Sequence, residues 1–119
     1  MRVTASGVSH VVRLLPNATA RAIWNALPLE ARGNRWGDEL YFSVPVEMEE
    51  SQAQEVVEVG DVAYWPPGSA ICVFWGPTPA SEGKEPRAAS PVTAFGHIDS
   101  GAADFAAVSS SATVKLERV

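Results

Sequence analysis

Ionisable and nucleophilic side chains are scattered along this sequence and form no recognised catalytic motif. His10 and His97 have no other histidine or cysteine at a spacing suited to a metal ion, so the sequence predicts neither a metal site nor a cofactor. The carboxylates of Asp38, Glu39 and Asp61 could serve as acid and base, but the sequence alone brings no two of them together. A phosphate-binding loop, a dinucleotide-binding fingerprint and a nucleophile elbow are all absent, which disfavours those classes of enzyme.

Adjacent aromatic residues are the strongest sign of a binding surface. Tyr64 and Trp65 are neighbours on one predicted strand, and Phe74 and Trp75 are neighbours on another. Because alternate side chains of a strand point to opposite faces, one ring of each pair should face the core and the other outward. An outward ring either packs beneath another element or lines a binding groove, and both interpretations stay open.

Composition limits the kinds of protein that this chain can be. Its 119 residues, 46% of them apolar and one a cysteine, fit a single domain over residues 1–119 with a core that needs no disulfide. No apolar run is long enough for a transmembrane helix, and no export signal is evident, so we expect a cytoplasmic protein with no membrane partner. Cys72 stands in an apolar run, where we expect a buried hydrophobic side chain and not a nucleophile.

Charge argues against a nucleic-acid partner. The formal net charge is −5 and the nine basic residues are scattered, whereas phosphate binding depends on clusters of lysine and arginine. Five glutamates fall within residues 47–58, a density that predicts a solvated loop or edge strand. An acidic binding patch is the alternative for this segment. We expect a monomer or a weak homo-oligomer.

Local patterns predict a mainly β protein with two short helices. The first helix starts at Asn17, with Asn17 or Thr19 as its cap, and stops at Pro28, whereas the second covers residues 101–108. Gly37 and Asp38 predict a hairpin or tight corner. Further strands are predicted at residues 11–14, 62–65, 71–75, 91–98 and 113–119. A total of six to eight strands with two helices suggests a closed barrel capped at its ends.

Three runs resemble the signatures of a bacterial and archaeal family of small cyclophilin-like proteins of unknown function. They are residues 36–42 (Trp-Gly-Asp-Glu-Leu-Tyr-Phe), 60–79 (beginning Gly-Asp-Val-Ala-Tyr-Trp-Pro-Pro-Gly) and 90–98 (Ser-Pro-Val-Thr-Ala-Phe-Gly-His-Ile). Residues 92–98 and the short helix after them also resemble the peptidyl-prolyl isomerases called cyclophilins. That similarity implies a closed, eight-stranded cyclophilin-like β-barrel with a short helix over each open end.

The similarity to the isomerases also implies candidate site residues. Their groove holds a prolyl peptide with an arginine, a glutamine, phenylalanines and a histidine, of which this sequence offers Arg35 as the catalytic arginine and Phe74 as a groove phenylalanine. A histidine and a glutamine at the corresponding places are missing. The alternative for Arg35 is a surface residue whose aliphatic stem covers apolar area near Trp36.

We therefore expect a groove that binds a small molecule or an extended peptide without strong catalysis. The residues expected near this groove are Trp36, Tyr41, Tyr64, Trp65, Phe74 and Thr78. Two alternatives stay open, namely a peptidyl-prolyl isomerase that uses Arg35, and a structural or assembly module that pairs through an exposed edge or aromatic surface.

Overall fold

The computed structural model describes residues 1–49 and 53–119. This part of the chain holds one α-helix, two short 3₁₀ helices and eleven strands. The helices are α1 (Ala18–Ala26) and the 3₁₀ helices Pro66–Gly68 and Ala102–Ala107. The strands are β1 (Arg2–Ala5), β2 (Val8–Val11), β3 (Arg13–Leu14), β4 (Leu29–Arg32), β5 (Asn34–Arg35), β6 (Glu39–Ser43), β7 (Gln54–Val56), β8 (Asp61–Trp65), β9 (Ala70–Phe74), β10 (Arg87–His97) and β11 (Thr113–Glu117).

The strands form two separate sheets. A four-stranded sheet has the order β2-β1-β11-β4, and a seven-stranded sheet has the order β3-β10-β8-β9-β6-β5, with β7 also paired to β10. Every pairing among the described residues is antiparallel. The mainly β class is therefore as predicted.

The closed eight-stranded barrel is wrong, because no strand pairing among the described residues joins the two sheets. The chain leaves one sheet for the other at two single-residue breaks. Between β2 and β3, the amide of Val12 donates to the carbonyl of Met1 at 2.7 Å. Between β4 and β5, the amide of Gly33 donates to the carbonyl of Ala112 at 2.8 Å. A barrel needs an unbroken ladder around its circumference, and the ladder stops at both places.

Most predicted elements are present with shifted ends. The side chain of Asn17 caps α1 by accepting a hydrogen bond from the amide of Ala20 at 2.9 Å, and the helix ends before Pro28. The predicted helix at residues 101–108 is a 3₁₀ helix, and the strand predicted at residues 11–14 is broken at Val12.

Of the acidic stretch, Glu50 and the next two residues lie outside the described residues, and β7 within it is an exposed strand at the sheet edge.

Alternate residues of the central strands enter two different hydrophobic clusters. The larger cluster draws on both sheets, on α1 and on the second 3₁₀ helix. Along β8, Val62 and Tyr64 belong to it, whereas Ala63 belongs to a smaller cluster against which Trp65 packs. The smaller cluster, which we call the outer cluster, consists of Val57, Ala63, Cys72, Phe74, Ala88 and Val92. The seven-stranded sheet is therefore buried on both faces.

A tight turn between β5 and β6 places Trp36 and Glu39 on one face. Gly37 and Asp38 form the two-residue loop, closed by a 3.0 Å bond from the amide of Trp36 to the carbonyl of Glu39. Gly37 has a φ of +61°, which is typical of the first loop residue of a type II′ turn. The amide of Asp38 donates to the carbonyl of Pro77 at 2.9 Å, so the turn is held against the segment after β9.

Replacing Gly37 with alanine should destabilise this turn. The added Cβ would lie 2.8 Å from the Cα of Thr78 and 2.9 Å from the carbonyl oxygen of Pro77, at a φ that disfavours any side chain. We expect Gly37→Ala to lower the free energy of unfolding by about 1–3 kcal/mol, measured by urea denaturation. Gly7→Ala is the matched control, because Gly7 has a φ of +80° and a Cβ added there would meet no atom within 4 Å. Equal losses in the two variants would contradict the proposed clash.

Candidate functional site

A cavity of about 240 Å³ opens on the face of the seven-stranded sheet that carries the outer cluster. Its lining is mostly apolar. The lining residues are Trp36, Glu39, Tyr41, Trp65, Cys72, Ala88, Ala89 and Val92. We call this space the outer cavity.

Strand alternation brings the residues of the outer cavity together. Glu39 and Tyr41 are two residues apart on β6 and share a face, and Tyr41 is the register partner of Cys72 on β9. Trp65 ends β8, where its indole nitrogen donates to the hydroxyl of Ser90 at 2.7 Å. Ser90 lies in the part of β10 where the register against β7 shifts. Its hydrogen bond with the indole therefore ties the Trp65 ring to this irregular part of β10.

Glu39 is the one carboxylate in this lining. The residue is 5% exposed, and its Oε1 has no hydrogen-bond partner among the described residues. Burial raises the pKa of Glu39 from its ordinary value of 4.5 to about 7, and a side-chain hydrogen bond with the Cys72 thiol opposes this rise. The pKa of the Cys72 thiol is in turn raised well above its usual range, by its own burial and by the carboxyl beside it. A carboxyl of this kind is partly protonated near neutral pH.

Three of the six residues predicted to bind a ligand line the outer cavity, namely Trp36, Tyr41 and Trp65. The hydroxyl of Tyr64 instead donates to the carbonyl of Val46 at 2.6 Å, and its ring packs in the larger cluster. In each aromatic pair, therefore, one residue packs in the larger cluster and its neighbour belongs to, or packs against, the outer cluster.

The other two predicted residues are buried near the cavity without lining it. Phe74 belongs to the outer cluster and is the register partner of Glu39. Thr78 is 7% exposed, and its hydroxyl donates to the carbonyl of Arg87. Ligand binding by any of the six residues stays a prediction.

Arg35 lies outside the lining of the outer cavity. Its guanidinium donates at 3.0 Å to the carbonyls of Gly37 and Ala106 and lies 5.0 Å from the centre of the Trp75 ring. These contacts tie the β5–β6 turn to the second 3₁₀ helix. The isomerase role predicted for Arg35 gains no support from this geometry.

Sequence reasoning noted Glu39 but missed its place in the site. Leu40 and Phe42 are strongly apolar and belong to the larger cluster, so the period of two assigns Glu39 and Tyr41 to the opposite face. That signal was present in the sequence. The burial of Cys72 was predicted and is confirmed, whereas its position beside a carboxyl could not be read from sequence spacing.

Two histidine–aspartate pairs lie among residues outside the cavity lining. His10 is 2.9 Å from Asp104, and His97 is 3.0 Å from Asp61, whose other oxygen accepts a bond from the amide of Glu58. Across residues 1–49 and 53–119, no three histidine, cysteine, aspartate or glutamate residues are grouped so that they could hold a metal ion. None of the helices that the structure describes has the length and apolar character needed to cross a membrane.

Comparisons with known proteins identify the family. A sequence model of the cyclophilin-like family matches residues 1–117, so the chain belongs to the cyclophilin-like family, as its signature runs predicted. The solution structure of the hypothetical protein AF2241 from Archaeoglobus fulgidus is 40% identical, has a TM-score of 0.84, and aligns over 99% of this chain and 92% of its own. This neighbour is likewise of unknown function.

A more distant structure shares the fold alone. McbB, solved in complex with tryptophan, is 15% identical with a TM-score of 0.74, and the alignment covers 98% of this chain but 44% of McbB. A search of curated protein sequences finds no match.

The raised pKa of Glu39 predicts a distinctive pH dependence of stability. Between pH 4.5 and about 7 the folded state keeps a proton that the unfolded state loses, so stability should fall as the pH rises through this interval. Glu39→Gln removes the titration. We therefore compare the free energy of unfolding of Glu39→Gln with that of the wild type. The value for the variant minus the value for the wild type should increase by about 3 kcal/mol as the pH rises from 4.5 to about 7.

Urea denaturation at several pH values measures this difference. Glu30→Gln is the matched control, because Glu30 is an exposed strand residue and its variant removes one carboxylate without altering the outer cavity. A parallel pH dependence in the wild type and Glu39→Gln would show that Glu39 titrates normally.

Proposed function

We propose that the protein binds a small, flat, largely apolar molecule in the outer cavity. The observation that carries this proposal is the buried Glu39 carboxyl in the lining of an otherwise mostly apolar cavity. Its Oε1 has no hydrogen-bond partner among the described residues, and its one side-chain hydrogen bond is with the weakly bonding thiol of Cys72. Buried polar groups in proteins are nearly always hydrogen-bonded, and an unpaired one therefore needs an explanation. Oε1 is enclosed, so a ligand would provide that explanation by drawing the carboxyl toward the cavity and supplying the missing hydrogen bond.

Size and shape favour a small molecule over an extended peptide. The cavity volume of about 240 Å³ lies just below the range of roughly 300–1,000 Å³ typical of ligand pockets. Trp36, Tyr41 and Trp65 provide the aromatic surface, which suits a ligand of one or two fused rings.

Two polar groups are available to orient such a ligand. Glu39 can accept a hydrogen bond as a carboxylate or donate one as an acid. The phenol of Tyr41, which also lines the cavity, can donate or accept a hydrogen bond. A few placed polar groups in an apolar pocket are the usual basis of ligand specificity.

McbB shares this fold, and its structure was solved in complex with tryptophan. Indole and tryptophan therefore join a panel of small neutral aromatic heterocycles. Saturation-transfer NMR and titration calorimetry detect binding to this panel without relying on protein fluorescence.

Trp36→Ala should weaken binding of any ligand found in this way by about tenfold, because it removes one aromatic wall of the outer cavity. Trp24→Ala is the matched control. Trp24 lies on α1 and is not part of the cavity lining. The guanidinium carbon of Arg118 lies 5.4 Å from the centre of the Trp24 ring. Binding should be saturable in the wild type and in the Trp24 variant. Failure of the whole panel to bind, or equal weakening in both variants, would overturn the proposed function.

A further inference from the structure

Glu39 has the surroundings that make a carboxylate a strong base. Its Oε1 has no hydrogen-bond partner within residues 1–49 and 53–119, and the residue is 5% exposed. The rest of the cavity lining is aromatic or aliphatic except for Cys72, whose thiol is hydrogen-bonded with the carboxyl. Water would solvate and weaken an exposed carboxylate, whereas this one is largely protected from it. A carboxylate in such a site gains stability when it takes up a proton.

The groups that face Glu39 leave its protonation responsive near neutral pH. From β9 it meets the Cys72 thiol, and Tyr41 lies two residues along β6. The lining residues from other segments do not ionise; they are Trp36, Trp65, Ala88, Ala89 and Val92. With the pKa of Glu39 at about 7, both the acid and the base are populated at physiological pH, as efficient acid–base catalysis requires.

We propose that the Glu39 carboxylate is a general base that removes a proton from a carbon atom of a small, neutral aromatic molecule held in the outer cavity. The proposal rests on the proposed binding function and adds a reaction to it. A neutral substrate is favoured because no lysine or arginine lines the cavity to pair with an anion, which the carboxylate would repel.

A simple reaction tests this property without knowledge of the natural substrate. In 5-nitrobenzisoxazole, a flat neutral bicycle, the carboxylate forms an O–H bond with the proton on the ring carbon next to nitrogen. The electron pair of the broken C–H bond completes a carbon–nitrogen triple bond, the N–O bond breaks, and its electron pair remains on the phenolate product. Glu39 then returns its proton to water, so no oxidant or further reactant is needed.

The experiment follows phenolate absorbance in the 119-residue chain on both sides of pH 7. The wild type should show saturable turnover above the buffer rate. Its rate should increase with pH, with the midpoint of the increase near pH 7, because only the ionised carboxylate accepts a proton. Glu39→Gln should lower kcat by about a hundredfold or more. Glu39→Asp should restore part of that loss, and Glu30→Gln should match the wild type.

A nonreactive analogue separates this proposal from the binding function. In 3-methyl-5-nitrobenzisoxazole a methyl group replaces the acidic proton, so it can bind but cannot react. Glu39→Gln should bind the analogue with a Kd within about threefold of the wild type, since it preserves the size of the side chain. If the analogue binds but turnover is absent, unchanged in Glu39→Gln, or centred near pH 4.5, the catalytic proposal is wrong. If the analogue does not bind to the wild type, both this proposal and the proposed binding function fail for this ligand class.

Discussion

Burial of both faces of the seven-stranded sheet is the constraint on which the rest of this structure depends. Because alternate side chains of a strand point to opposite faces, a central strand here must be apolar at consecutive positions, and all five residues of β9 are buried. One face packs against the four-stranded sheet through the larger cluster. The other face carries the smaller outer cluster, to which Val57 and Ala88 belong. The outer cavity opens on this second face.

Glu39 occupies an energetically unfavourable position in this arrangement. Burying a charged carboxylate costs several kcal/mol unless the group is paired, and the described residues offer Oε1 no partner. The raised pKa reduces that cost because the side chain can take up a proton. The Gly37 turn and the Trp65–Ser90 bond hold the aromatic side of the cavity around the carboxyl. The proposed chemistry with a bound molecule would account for a carboxyl buried at such a cost.

Local signals predicted the local structure, and long-range pairing was beyond them. Asn17 and Pro28 mark the ends of α1 because a cap and a helix breaker act on their own neighbours. The closed barrel was wrong because the ladder breaks at Val12 and Gly33, where each amide bonds to a residue outside the two strands that flank it, Met1 and Ala112 respectively. Alternation predicted that Tyr64 and Trp65 would separate. It could not tell which of them faces outward, because Val62 and Ala63 before them are both apolar. The cavity beside Glu39 is also lined by Trp65 and Ala88, which only the fold brings to the same site.

The most direct test of the account is the titration of the Glu39 carboxyl itself. Carbon-13 NMR of protein labelled at glutamate side chains follows each carboxyl carbon as the pH changes, and Glu39→Gln assigns the resonance by its disappearance. The account predicts one glutamate with a midpoint near 7, which is the resonance missing from the variant. A midpoint near 4.5 for that resonance would mean that the carboxyl is solvated or strongly paired, and would contradict the account of an apolar site built around a buried acid.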